Sequence, residues 1–344
     1  MKISYKDILK LIVSIGLTVW VVMATTKTIS FEDILEGLRT VEYGWVILSI
    51  AISILSHWLR AYRWTLLLNT QGHQPSVFTA YLSLMTGYLA NMAIPRMGEV
   101  ARCTVLSREE KIPVSFSFGT VVTDRLLDLL MLGLLTVFLL FMEFDLLESF
   151  FSNFVSEKAP ILLDLWPYLL LAAVLGLTTV IYLLRKAKDT EDENSFLFKV
   201  GKFTSDMISG ISAIRRVKKQ GLFWLSTLAI WGAYYLMLYV ISFGFGPTDD
   251  LSLMAGVAVL VMGSLGMAAP VTSGIGAYQA LVASILVLYG IEHGDGLVFA
   301  VVSHGSQMFS VIIIGFLSLL ILNFRKRKKN RVTEQSENSQ PASA

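Results

Sequence analysis

Three short clusters of arginine and acidic residues interrupt apolar stretches of this sequence. A charge inside an apolar segment is costly and persists mainly when it is paired or functional. The planar guanidinium group of arginine binds phosphate and carboxylate oxygens through two parallel hydrogen bonds. The clusters therefore predict a site for an anionic, phosphate-bearing group. Its candidate residues are Arg60, Arg63, Arg96, Gly98, Glu99, Arg102, Asp124, Arg125 and Asp128.

The spacing within the clusters indicates how they are arranged. Arg96, Glu99 and Arg102 follow one another at steps of three and share a face if this segment is helical. Gly98 between them allows a turn or a close approach to a ligand. Asp124 and Asp128 are one helical turn apart, and Asp124 lies about 15 Å into an apolar segment. We expect the carboxylates to orient the arginines, and Arg125 to pair with Asp128 or Glu99.

Structural alternatives remain open for these clusters. Arg60 and Arg63 could extend along the membrane surface into water, with Trp58 and Trp64 in the interfacial aromatic belt. The second cluster could be a ladder of ion pairs. The third could be a buried ion network without a ligand.

A fourth candidate element is the segment Pro270-Val271-Thr272-Ser273-Gly274-Ile275-Gly276-Ala277-Tyr278-Gln279. The free backbone amides at a helix start bind anions without a basic side chain. We therefore add Pro270, Gly274, Gly276 and Gln279 to the site. Thr272 or Ser273 as an ordinary N-cap is the alternative. His304, inside the last apolar segment, is either a proton relay or a packing residue, and it completes the candidate set.

The composition predicts an integral membrane protein, because 54% of the residues are hydrophobic and only 16% are charged. We predict an all-α, polytopic protein with about eight spans, since each apolar run below is long enough to cross a bilayer. The runs are 8–25, 44–62, 114–142, 160–184, 221–245, 250–269, 275–291 and 297–323. The single cysteine, Cys103, excludes an internal disulfide. We expect no metal and no cofactor.

Two near-repeats, Asn91-Met92-Ala93-Ile94-Pro95 and Gly266-Met267-Ala268-Ala269-Pro270, each interrupt an apolar run. Non-helical backbone inside a membrane survives only within protein or beside an aqueous cavity. We read residues 72–111 as a re-entrant hairpin and the pair 250–269 and 275–291 as its counterpart. Together they predict an inverted repeat of broken helices around a substrate site. Chance similarity with ordinary proline kinks is the alternative.

We predict a plasma-membrane protein. The distribution of lysine and arginine predicts that both termini lie in the cytoplasm. We treat residues 1–323 as one membrane domain and 324–344 as a basic, disordered tail. Within the loop at about 196–219, apolar and basic residues alternate as in an amphipathic helix. Such a helix lies on an anionic lipid surface or packs on the protein's own spans.

These residues carry a resemblance. Arg63-Trp64, the stretch from Gly87 to Arg102, the Asp124 to Asp128 run and Pro270 to Gly276 resemble the membrane region of lysylphosphatidylglycerol synthases. The similarity covers roughly residues 8 to 323. It implies a flippase-like module, here expected without the aminoacyl transferase domain. Gln279 and His304 stand where relatives usually have glutamate and often arginine, so charge compensation there is expected to differ.

The sequence thus favours a transporter, not an enzyme, that moves an anionic or phosphate-bearing lipid between leaflets. Candidate partners are that lipid, an anionic lipid surface, a separate lipid-modifying enzyme and a second copy of the chain, with no nucleic acid. One alternative is a polyprenyl-phosphate-dependent glycosyltransferase that uses Glu32 and Asp33. Another is a transporter of a soluble ion or solute. No Walker-type loop is present, so ATP is not the expected energy source.

Overall fold

A computed structural model describes residues 31–94, 97–148, 196–269 and 271–338, with isolated stretches of one to three residues between 152 and 182. These residues form helices and no strand, which confirms the all-α prediction. The helices are α1 Phe31–Thr40, α2 Tyr43–Leu68, α3 Val77–Ala93, α4 Gly98–Glu110, α5 Val114–Met142, α6 Phe196–Ile211, α7 Gln220–Ser242, α8 Leu253–Ala268, α9 Ala277–Leu288 and α10 His293–Asn338.

Four of the described helices are long and apolar enough to cross a membrane: Tyr43–Gln71, Val114–Met142, Gln220–Ser242 and His293–Arg327. They coincide with four of the predicted spans. The predicted spans 250–269 and 275–291 form α8 and α9, which have only 16 and 12 residues. At 1.5 Å per residue they reach about 24 and 18 Å, less than the roughly 30 Å of a bilayer core. Neither crosses alone.

Two predicted spans lie wholly or largely outside the described residues. The run 8–25 lies outside the described residues, and 160–184 lies largely outside them. The total of eight spans therefore stays a prediction.

The first hairpin consists of α3 and α4, which pack against each other between residues 77 and 110. Gly87 lets the two backbones approach, because a Cβ atom there would lie 2.7 Å from the carbonyl oxygen of Gly98. The amide of Gly98 donates to Oδ1 of Asn91 at 2.6 Å, which satisfies one free donor of the α4 start. A helical hairpin within 72–111 is confirmed. Pro95 and Arg96 lie outside the described residues.

The second hairpin consists of α8 and α9, which are separated by the short 3₁₀ turn Thr272–Gly274 where the sequence predicts a break. Ser273, Gly274 and Gly276 have φ angles of +51°, +74° and +84°. Such angles favour glycine and explain the two glycines. The bulky Tyr278 packs on Gly263 of α8, where a Cβ would lie 2.7 Å from its ring. Pro270 lies outside the described residues.

The two hairpins contact each other directly. α3 of the first hairpin packs on the turn Thr272–Gly274 of the second, and α10 packs on both α3 and α9. α2 packs on α7 and α3. The polar clusters on α2, α4 and α5 are therefore enclosed by helices. That the hairpins are inverted copies of each other stays a prediction.

The predicted amphipathic helix is present as α6, which is followed by a short 3₁₀ helix, Ser212–Arg216. It packs on α5 through close contacts at Gly119 and Gly210. This agrees with the alternative prediction that the helix packs on the protein's own spans. Oγ1 of Thr123 donates to the carbonyl oxygens of Gly210 and Ile211 at 3.1 and 3.0 Å. A backbone this close needs glycine on both helices.

The last helix is longer than the sequence suggested. α10 continues to Asn338, although we expected disorder from residue 324. Lysine and arginine are good helix formers, and extending an existing helix avoids the cost of nucleation. The basic run therefore continues the span as helix. Residues 339–344 lie outside the described part of the chain.

Candidate functional site

The two arginines of α2 are buried rather than extended into water. Arg60 is 4% exposed and Arg63 is fully buried. They lie one turn apart on α2, so both guanidinium groups point to the same neighbouring helices. The surface alternative for these arginines is wrong, because each side chain finds carboxylates inside the protein.

Asp124 and Asp128 of α5 hold both arginines. Arg63 donates from Nε and Nη2 to Oδ1 of Asp124 at 3.1 and 2.7 Å, and from Nη2 to Oδ1 of Asp128 at 2.8 Å. Arg60 donates from Nη2 to Oδ2 of Asp124 at 2.9 Å and also to Oδ2 of Asp128. The two carboxylates bridge the two guanidinium groups. This is the arrangement in which buried charges are tolerated.

Helix α7 adds one hydrogen-bond acceptor for each of these arginines. Nη1 of Arg60 donates to the hydroxyl oxygen of Tyr234 at 2.9 Å, and Nη1 of Arg63 donates to Oγ1 of Thr227 at 3.4 Å. Neither α7 residue was predicted from the sequence. Their seven-residue separation places them on one helix face. That face could have been recognised once α7 was known to pack on α2.

Arg102 of α4 is the least satisfied cation of the group. It is 3% exposed, and its Nη2 lies 3.7 Å from Oδ2 of Asp124. Its guanidinium carbon stands 4.8 Å from the ring centre of Trp64, within cation–π distance. Yet Nε and Nη2 of Arg102 have no hydrogen-bond partner among the described residues. Burial of such donors is unfavourable without an acceptor.

Trp64 belongs to this buried group and not to an aromatic belt at the membrane surface. It is 1% exposed, and its indole N–H donates to Oγ1 of Thr120 at 2.9 Å. The belt alternative for Trp64 is therefore wrong. The ring lies against one face of the Arg102 guanidinium, which leaves the edges of that group for hydrogen bonds.

Arg125 and Glu99 form an ion pair at the rim of the cluster. Nη2 of Arg125 lies 2.6 Å from Oε1 of Glu99, and the two side chains are 49% and 22% exposed. Of the two partners expected for Arg125, the structure shows Glu99. This pair links α5 to the first turn of α4. Arg102 lies on the same helix.

The cluster carries an excess of positive charge. Within the described part of the chain it contains four guanidinium groups and three carboxylates, which leaves one positive charge; the members are Arg60, Arg63, Arg102, Arg125, Glu99, Asp124 and Asp128. Nε of Arg60 also finds no hydrogen-bond partner among the described residues. Three buried guanidinium nitrogens without a partner and one net positive charge can bind an anion. Arg96 lies outside this count.

A second polar group surrounds the break between α8 and α9. The amide of Gly276 donates to Oε1 of Gln279 at 2.7 Å, and Nε2 of Gln279 donates to Nδ1 of His304 at 3.1 Å. The His304 ring stacks on Tyr278, with ring centres 4.6 Å apart. The predicted Gln279 and His304 thus meet, but the Gly276 amide already has an internal acceptor and is not free for an anion. Gly274, in the turn, is buried.

Helix α2 links the two polar groups. Nε2 of Gln307 on α10 donates to Oγ of Ser49 at 3.3 Å, one turn beyond His304. Ser49, Ser53 and His57 are buried at successive turns of α2 and lead to Arg60. The sequence analysis missed this buried polar line. The recurrence of Ser and His at helical spacing before Arg60 was its signal.

A separate cavity of about 1000 Å³ opens where α2 begins, far along the helix from Arg63. Its lining is acidic: Glu36, Glu42, Asp249, Glu292 and Asp295. Carboxylates repel an anion, so this cavity does not suit the ligand of the arginine cluster. Among the residues that the structure describes, no group of three or more His, Cys, Asp or Glu side chains could hold a metal ion.

Comparisons with known proteins agree with the resemblance. A sequence model of the lysylphosphatidylglycerol synthase TM region matches residues 8–315. A UPF0104 membrane protein of Methanocaldococcus jannaschii is 28% identical over 122 residues, which are 35% of this chain and 36% of that protein. The matched segment thus spans about a third of the relative's length. No solved structure matches the chain.

Proposed function

The chain belongs to the family of the lysylphosphatidylglycerol synthase TM region, and on that premise we propose that it moves an anionic, phosphate-bearing lipid between the leaflets of a membrane. One observation carries the proposal. Buried Arg102 and Arg60 together keep three guanidinium nitrogens that have no hydrogen-bond partner in the described part of the chain, within a cluster that holds one excess positive charge.

A phosphate group has the hydrogen-bond acceptors and the charge that these donors lack. Each buried donor without an acceptor costs about 1–3 kcal/mol, and one phosphate presents several acceptor oxygens to a guanidinium group. Its negative charge cancels the excess charge of the cluster. A neutral or cationic head group offers no such compensation, so it is not the proposed ligand.

The position of the cluster favours transport. Its members lie on α2, α4 and α5, and two of these helices are apolar enough to span a membrane. In the proposed mechanism the head group enters among these helices, while the lipid tails stay in the hydrocarbon. The hairpins α3–α4 and α8–α9 contact each other beside this region. Two packed broken elements are the common architecture of substrate sites in transporters.

The test is the movement of fluorescent phosphatidylglycerol between leaflets in vesicles that contain the purified protein. Arg102→Gln removes the excess charge and two of the unpartnered donors, so we expect its rate to fall at least tenfold. Arg108→Gln is the matched control, since Arg108 is exposed in the last turn of the same helix. Both variants are compared at equal amounts inserted.

Equal rates for Arg102→Gln and the parent would contradict the proposed site. A fluorescent phosphatidylcholine, which has no net charge, should move more slowly than phosphatidylglycerol. If the two lipids move equally fast, the proposed preference for anionic lipid is wrong.

A further inference from the structure

His57 occupies an unusual place beside the arginine cluster. It lies on α2 one turn before Arg60, is 9% exposed and packs against the ring of Tyr88, with ring centres 5.1 Å apart. Its Nε2 is 3.4 Å from Oγ of Ser53. Its Nδ1 has no hydrogen-bond partner among the residues that the structure describes.

The hydrogen bonding of His57 is incomplete. Buried polar atoms in proteins are nearly always hydrogen-bonded, whereas His57 makes one long bond and leaves one nitrogen unused. When Nε2–H donates to Ser53, the lone pair of Nδ1 is free to accept a proton. The unused nitrogen therefore points to a proton site one turn from the unpartnered Nε of Arg60.

Burial of the His57 ring disfavours a bound proton, and the charges around the ring add to this effect. Arg60, on the same helix, repels a protonated ring. The helices packed on α2 bring Tyr88 from α3, Asp124 and Asp128 from α5, and Tyr234 from α7, while Gln307 from α10 reaches Ser49 and is uncharged. With Arg102 and the Arg125–Glu99 pair, this surrounding carries one excess positive charge, which disfavours a second.

We infer that His57 binds a proton together with the anionic head group, so that proton and lipid enter the cluster as an uncharged pair. This rests on the proposed function. The anion cancels the excess charge, and a proton from water then binds to the lone pair of Nδ1. The cluster keeps the same net charge in the empty and the doubly occupied states.

The coupling is reciprocal. If the bound anion raises the affinity of His57 for a proton, the proton raises the affinity for the anion by the same factor. Binding of the lipid is then tighter at lower pH. With one linked proton, the affinity changes at most roughly tenfold per pH unit. A proton gradient across the membrane can thus drive the lipid, which gives the transporter an energy source.

The test counts protons directly. Water-soluble dihexanoyl phosphatidylglycerol is titrated into the detergent-solubilised protein by calorimetry in two buffers of different ionisation enthalpy. The difference in heat gives the protons taken up for each lipid bound. We expect uptake of up to about one proton between pH 6 and 8 for the parent, and none for His57→Gln. His73→Gln is the matched control, because His73 follows α2 in a loop and contacts Phe116 instead of the cluster.

The outcomes separate this inference from the function on which it rests. Lipid binding without proton uptake in the parent overturns the coupling and leaves the anion site intact. Unchanged uptake in His57→Gln also overturns it. No binding of phosphatidylglycerol at any pH contradicts the proposed function and the coupling together. Ser53→Ala keeps the imidazole but removes its only hydrogen-bond partner within the described residues, so reduced uptake there supports the inference if His57→Gln does not fold.

Discussion

Asp124 should contribute more to stability than any other carboxylate of the cluster. It is fully buried and accepts three hydrogen bonds from Arg60 and Arg63, and it lies 3.7 Å from Arg102. Asp124→Asn keeps the shape but raises the net charge of the described cluster by one. Removing one partner from a buried ion pair costs about 3–5 kcal/mol. We expect a loss of stability in that range.

Asp128→Asn is the variant with which the stability loss of Asp124→Asn is compared. The Asp128 side chain is 17% exposed, so water can replace part of the lost interaction with Arg60 and Arg63. We expect a cost of roughly 1–3 kcal/mol. At about 2 °C per kcal/mol, the unfolding midpoint falls by about 6–10 °C for Asp124→Asn and by less for Asp128→Asn.

Cys103 provides the assay. It is the single cysteine of the chain and is buried, so a dye that fluoresces on reaction with thiols reports unfolding in detergent on heating. Both variants are heated beside the parent at the same detergent concentration. Equal midpoints for Asp124→Asn and Asp128→Asn would refute the reasoning, since the difference in burial would then have no effect on stability.

Three further predictions use the same unfolding assay or the lipid assay. Gly210→Ala should reduce the free energy of unfolding by about 1–3 kcal/mol, because its Cβ would lie 2.6 Å from the carbonyl oxygen of Phe116. Gly232→Ala is the control and should change stability little, because the space around its Cβ is open. Equal unfolding midpoints for the two variants would contradict the close α5–α6 contact. Arg125→Gln should cost less than about 1 kcal/mol, because its pair with Glu99 is half exposed, and a cost as large as that of Asp124→Asn would place it in the core of the cluster. Trp64→Leu removes the ring over Arg102 and the hydrogen bond to Thr120. It should destabilise the protein by about 3 kcal/mol and slow the movement of phosphatidylglycerol. An unchanged transport rate would show that the ring does not position Arg102.

The sequence was most informative where a physical rule leaves few choices. Charges inside apolar segments must be paired, and this alone predicted that Arg63 and Asp124 belong to one site. The repeated break before each proline likewise predicted two helical hairpins. In both cases a residue type that is costly in a membrane identified the position.

The partners of each charge could not be predicted, because they depend on which helices pack together. Arg60 and Arg63 both looked available to a ligand, but the carboxylates of α5 occupy most of their donors. Arg102 differs only because α4 places it 3.7 Å from Asp124 instead of in direct hydrogen bonding. Likewise, the sequence does not identify Tyr234 as a partner of Arg60 unless α7 is known to pack on α2.

The most direct test of the account is the lipid that stays bound to the purified protein, measured by native mass spectrometry. Phosphatidylglycerol and phosphatidylcholine are supplied in equal amounts. We predict that one phosphatidylglycerol is retained by the parent and by Arg108→Gln, and that Arg102→Gln loses it. Equal retention of both lipids, or retention of phosphatidylglycerol by Arg102→Gln, would contradict the claim that the excess charge of the buried cluster binds an anionic head group.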